Sequence, residues 1–206
     1  MTTSQDLVEL IDYRRRVDDL YAAIRQQSDL EDAWWPWRAG RDGLFATHPQ
    51  SPVSPERRTD FEGMAFHEYD PSWCLAATIE AVDDETVDLG HSGAGETRFV
   101  RFATLRAERL GEAITLDALW LDAYGGGIFV PFRDATNGDT TYGGGRYVLD
   151  AAKGADLGAL DDGRLVLDLN YAYHPSCAHD ARFSCPLAPP SNRLAMRVEA
   201  GELMPR

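Results

Sequence analysis

VPFRDATNGDTTYGGGRYVLD, Val130 to Asp150, carries the main architectural signal of the chain. Its apolar ends, VPF and RYVL, have the aromatic and β-branched character of strands. Between them, Asp and Asn can bond to nearby backbone and the triplet Gly143–Gly145 can take positive φ, so the segment reads as two strands joined by a polar turn. Similar runs occur at Cys74–Glu80, Thr97–Leu105, Ala113–Tyr124, Ile128–Phe132, Arg146–Leu149, Arg164–Leu169 and Leu194–Glu199. Turns are expected at Asp83-Asp84, Gly125–Gly127, Gly143–Gly145 and Asp161–Gly163. Short strands with Asp- and Gly-rich turns, rather than strands alternating with helices, predict a mainly antiparallel β fold, barrel or sandwich. In ETRFVRFATLRAE the alternation leaves open which face is buried.

Upstream the period changes. Leu7, Leu10, Ile11, Val17, Leu20, Tyr21 and Ile24 recur at intervals of three and four, which predicts a helix over Ser4–Gln26 with Ser4 as its cap. A second helix is expected over about Leu30–Thr47, with Pro36 in its first turn and Trp34, Trp35 and Trp37 docking it on a core. The proline-rich HPQSPVSP, His48–Pro55, then reads as an extended connection. The expected organisation is a single domain over 1–206, in which a helical segment, 1–50, packs on a β-rich body, 60–206.

Acidic residues number 34 against 20 basic ones, a net charge of −14, and Lys153 is the sole lysine. Dispersed carboxylates of this density suit a salt-rich cytoplasm, where a Debye length of about 3 Å at molar salt removes their repulsion. No basic stripe is present to neutralise phosphates, so nucleic acid is not an expected partner. No apolar run is long enough for a membrane span, and MTTSQDLVELIDYRRR lacks the pattern of a secretory signal. A cytoplasmic location is expected, with Cys74, Cys177 and Cys185 reduced, although a Cys177–Cys185 bridge stays open.

The run FVPFRDATNGDTTYGGGRY at Phe129–Tyr147, together with LDLNYAYHP at Leu167–Pro175, resembles the prokaryotic domain-of-unknown-function family 1684. Cys177, Cys185-Pro186, Asn192-Arg193-Leu194, the terminal Ala200–Glu202 and the stretch Trp37–Pro71 extend that resemblance over most of the chain. It implies no activity. The family pattern carries asparagine where this chain has His174 and an aromatic residue where it has His179, which speaks against a metal role for these histidines.

Two clusters carry polar chemistry. In the first, Asp134, Thr136, Asn137, Thr140, Thr141, Tyr142 and Arg146 accompany the glycines. They form either an anion-binding nest, with Arg146 gripping a carboxylate or phosphate, or a hairpin turn in which Arg146 pairs with Asp134 or Asp168. The spacing is not that of a P-loop, and no nucleophile elbow or dinucleotide fingerprint occurs. In the second, His174, Cys177, His179 and Cys185 are zinc-type ligands at a spacing unlike a zinc module. No metal is expected, with Cys177 and Cys185 as weak candidates. One of these thiols as a nucleophile, with His174 as base and Asp168 or Asn170 as orienter, is the catalytic alternative. Asn170, Asn192 and Glu202 either hold loops or converge with Arg146 and Tyr142 in a barrel mouth.

Two functions follow. In the first, a small anionic molecule is bound or transformed in a pocket made by Asp134, Thr141, Tyr142, Arg146, Asn170, His174 and Asn192. In the second, the chain is a non-catalytic structural or protein-interaction module whose polar motifs only brace loops. The sequence designates no catalytic residue, cofactor or oligomeric state.

Overall fold

A computed structural model describes residues 3–204. Helices α1 (Ser4–Arg25) and α2 (Leu30–Thr47) lead the chain, and a single-turn α3 spans Pro55–Arg58. Thr3, not Ser4, caps α1 through a reciprocal capping box with Asp6. Asp29 caps α2 by accepting the N–H groups of Glu31 and Asp32. Because that cap sets the start at Leu30, Pro36 falls inside the helix rather than in its first turn.

Six antiparallel strands follow: β1 (Cys74–Gly90), β2 (Glu96–Arg109), β3 (Glu112–Leu121), β4 (Ile128–Phe132), β5 (Arg146–Asp150) and β6 (Leu165–Asp168), in the order β5-β4-β3-β2-β1-β6. The free edge of β5 does not stay open. Tyr147 exchanges backbone hydrogen bonds of 2.9 and 3.0 Å with Tyr173, on the chain just past β6, and the sheet curls into a nearly closed barrel. Trp73, Leu75, Leu105, Ile114, Leu116, Val130, Phe132 and Val148 fill its interior.

Two expectations about strands are corrected. Asp83-Asp84 is no turn: β1 continues through it, and a register shift between Ala81 and Glu85 absorbs the extra residues as a bulge. Leu194–Glu199 is no strand. Its start makes two backbone hydrogen bonds with Arg133 and Ala135, but the carbonyls of Val198 and Ala200 go to the Arg146 guanidinium, which ends the pairing there.

The tryptophan cluster docks α2. Trp34 and Trp37 are buried against Tyr171, Val166 and Tyr21, while Trp35 remains 61% exposed. The indole N–H of Trp34 donates to the Asn170 carbonyl at 3.0 Å, and the Tyr171 hydroxyl donates to the Leu30 carbonyl at 2.7 Å. These bonds tie the helical pair to the end of β6 and leave a cleft between α1, α2 and the chain after Tyr147.

Candidate functional site

The site grows from Gly201. Its φ is +78°, and a Cβ there would lie 2.6 Å from the Ala172 carbonyl oxygen and 2.8 Å from that of Leu169, so glycine alone fits. The next residue, Glu202, is thereby delivered between two segments, bridging to Phe66 and donating its N–H to the Ala172 carbonyl at 2.8 Å. Its side chain has no solvent exposure.

One carboxylate oxygen of Glu202, Oε2, accepts from the Arg41 guanidinium at 2.8 Å and from the His174 backbone N–H at 3.2 Å. The other, Oε1, faces His174 Nδ1 at 3.5 Å and His179 Nε2 at 3.2 Å. Burial opposes the Glu202 charge, but Arg41 and the imidazoles outweigh it and hold the carboxyl well below its usual range. Burial also opposes the Arg41 charge, and Glu202 more than compensates. Burial pushes His174 below the ordinary imidazole value against the pull of Glu202.

His174, His179 and Glu202 are the residues that bring metal-type donor atoms together, within 4.8 Å of one another. Cys177 and Cys185, the weak candidates from the sequence, are not among them. The three facing atoms, His174 Nδ1, His179 Nε2 and Glu202 Oε1, are buried without a hydrogen-bond partner among the described residues, and two features bear on whether a cation would sit there. The Tyr142 N–H donates to His174 Nε2 at 3.1 Å, which assigns the ring proton to Nδ1, the atom a metal would need. A metal-bound histidine does the reverse, donating from its second nitrogen. The Arg41 charge already occupies the same carboxylate.

Of this buried cluster, Arg41 and His174 line a cavity of about 280 Å³ in the cleft. Tyr13 and Tyr21 from α1, Tyr147 from β5 and Tyr173 form aromatic walls, and Arg14, Arg41 and Lys153 line it with no Asp or Glu among the lining residues. Lys153 Nζ lies 3.1 Å from Asp150, which holds the ammonium above the ordinary lysine value and therefore charged. Arg41 spans the floor, its guanidinium 4.4 Å from the Phe45 ring centre and 4.8 Å from that of Tyr173. Its Nε has no partner among the described residues.

The residues expected around Arg146 are placed differently. Arg146 is fully buried, pairs with Asp134 and donates to the Ala200 and Val198 carbonyls, which corrects its expected role as a ligand-facing group. Asp134 also accepts the Thr136 N–H at 2.6 Å, and Thr136 shares a hydroxyl bond of 2.8 Å with Thr141. Asn170 bonds Asp70 and Asp168, away from Arg146. Asn192 bonds the backbone of Asp117 and Pro131 with donor–acceptor distances of 2.7 to 3.0 Å. Of those candidates, His174 lines the cavity and Tyr142 supports it from behind. His174 Nε2 accepts the Tyr142 N–H and Nδ1 faces Glu202 at 3.5 Å, so neither ring nitrogen is directed at a cysteine.

Arg41 and Lys153 were not singled out as site residues from the sequence. Lys153 carried one signal, as the only lysine of an arginine-rich acidic chain.

Comparison with known families places this architecture. The model of the family described as a protein of unknown function (DUF1684) matches residues 59–203. The chain belongs to that family. The DUF1684 match takes in the whole barrel, His174, His179 and Glu202, and leaves α1 and α2 outside it. Among solved structures, the solution NMR structure of an uncharacterized protein from Haloarcula marismortui is 39% identical, with a TM-score of 0.62 over 84% of this chain and 93% of that one. No curated protein matches the chain. Among the described residues, no helix is long and apolar enough to cross a membrane.

Proposed function

We propose that this DUF1684 member binds a small organic anion with an apolar body in the cavity between α1, α2 and the barrel. The carrying observation is the charge of the lining. In a chain of net charge −14, the cavity gathers Arg14, Arg41 and Lys153 and no carboxylate. The exposed Arg14 and the partly exposed Lys153 leave donors for a carboxylate or phosphate. The tyrosine walls suit the apolar part, and a volume of about 280 Å³ lies near the lower end of small-molecule pockets, roughly 300–1,000 Å³.

The scaffold reading retains the polar loop: Asp134, Thr136, Thr141 and Arg146 bond one another and the backbone, with Arg146 Nε left without a partner among the described residues. Loop bracing and ligand binding therefore belong to different residues.

A thermal-shift screen of aromatic and aliphatic carboxylates and organic phosphates at molar salt tests the proposal. A binder at a hundred times its Kd raises stability by about 2.7 kcal/mol. Lys153→Ala, at an exposed position, should keep the fold and lose most of that shift. No shift with any anion, or an equal shift in Lys153→Ala and Arg14→Ala, would remove the cavity from consideration.

A further inference from the structure

One stripe of α1 lines the cavity and then runs past it. Leu10, Arg14, Val17 and Tyr21 face the cavity at intervals of three and four residues, and Leu7 continues the same stripe toward the helix N-terminus. Exposure rises along it. Tyr21 is 3% exposed, Val17 and Leu10 are half-buried, and Leu7 is 52% exposed, with Val8 and Ile11 beside it at 60% and 49%. A stripe that a core-facing helix would bury is thus covered at one end and bare at the other. The covered end is shut by the turn after Lys153, where Gly154 comes so close to α1 that a Cβ would lie 3.0 Å from the Asp18 Cα. The cleft therefore opens along α1 toward Leu7.

Charge is divided along the same line. Arg14 lies on the stripe and Lys153 precedes the turn that meets Asp18, so both cavity cations stand toward the shut end. The open end carries Asp6 and Glu9, and Glu9 accepts from Gln5 at 2.9 Å and from the cavity-lining Gln50 at 3.4 Å. An anionic group is therefore held at the shut end, and the bare surface of Leu10, Leu7 and Ile11 is left for something apolar. About 10 Å of helix axis separates Arg14 from Leu7, at a rise of roughly 1.5 Å per residue.

From this division we infer that the ligand is an amphiphile with an unbranched alkyl chain, a fatty carboxylate or an alkyl phosphate. Its head pairs with Arg14 and Lys153, and its chain runs out along α1 over Leu10 to Leu7. The inference rests on the cavity being the anion site proposed above, and it adds the shape of the ligand and the direction in which it lies. Bound in this way, the chain covers apolar side chains of α1 that otherwise face water.

Isothermal titration calorimetry on the full chain at molar salt tests it, with straight-chain carboxylates from butyrate to decanoate and the matching alkyl phosphates, all below their micelle concentrations. Each methylene laid on the stripe should tighten Kd about two- to fourfold, and the series that binds more tightly identifies the head. Leu7→Gln, at an exposed position, should keep the fold, leave butyrate unchanged and remove the gain at the longest chains. An affinity independent of chain length, or decanoate binding unaffected by Leu7→Gln, would overturn the inference and leave the anion site standing. Tighter binding of compact aromatic carboxylates than of decanoate would do the same. Binding of no anion at any length would remove the site and the inference together. Light scattering that shows a wild-type dimer dissolved by Leu7→Gln would assign this face of α1 to a second copy and also overturn the inference.

Discussion

Arg146→Ala should unfold the protein at a markedly lower temperature. The guanidinium is wholly buried, and its removal strands three acceptors at once: the Asp134 carboxylate and the carbonyls of Val198 and Ala200. Breaking a buried ion pair on one side costs about 3–5 kcal/mol, because the surviving charge stays desolvated. In a chain of this size each kcal/mol moves Tm by about 2–4 °C, so the expected fall is about 6–20 °C. Thr136 still donates to Asp134 Oδ1, which places the expected loss toward the lower part of that range. The consequence reaches the site, since Ala200 and Gly201 carry Glu202, so the variant should also lose protection of the Glu202 backbone amide in hydrogen exchange. Melting should be followed by circular dichroism at molar salt, with Arg146→Met/Asp134→Asn as a companion that removes both charges and recovers part of the loss. An Arg146→Ala protein melting within about 2 °C of wild type, below the roughly 3 kcal/mol minimum, would refute the assignment of this arginine as a brace.

Two further outcomes are expected. Stability should fall as the pH drops below about 6.5, because the unfolded chain takes up a proton at His174 that the folded chain, with its pKa lowered by burial, does not. A second decline should begin near 4.5, where the unfolded Glu202 protonates while its folded counterpart, held well below that value, stays ionised. Both contributions are fully present at higher pH. Urea melts from pH 8 to 4 on wild type and His174→Gln check this: the variant should show a smaller first decline, the remainder coming from His67, which burial also lowers, and an unchanged first decline would contradict a buried neutral His174. Gly201→Ala should cost about 2–5 kcal/mol, combining a positive φ with contact against two carbonyls. Gly111→Ala, at φ +87° but facing open space, should cost only about 1–2 kcal/mol, and equal losses in melting experiments would mean that the carbonyl contacts at Gly201 do not matter.

Periodicity alone set the element types of this protein. Intervals of three and four marked α1, and alternation with Gly and Asp turns marked the strands, because side-chain direction in helix and strand is a local property of the backbone. The same local rules explain the errors. A bulge at Asp83-Asp84 resembles a turn until the register with β2 is known, and Leu194–Glu199 alternates like a strand although Arg146 takes the Val198 carbonyl and ends its pairing. Composition made an anion reading reasonable and named the one lysine, but which arginine lines a cavity was not legible. Arg146 and Arg41 have the same chemistry in sequence; one is enclosed by Asp134 and the chain at 198–200, while the other is brought by α2 to the floor of a cavity. Glu202 meets Arg41 across a separation of 161 residues, and no local pattern encodes such an encounter. Desolvation decides whether a charge braces or binds, and it arises only when distant segments pack.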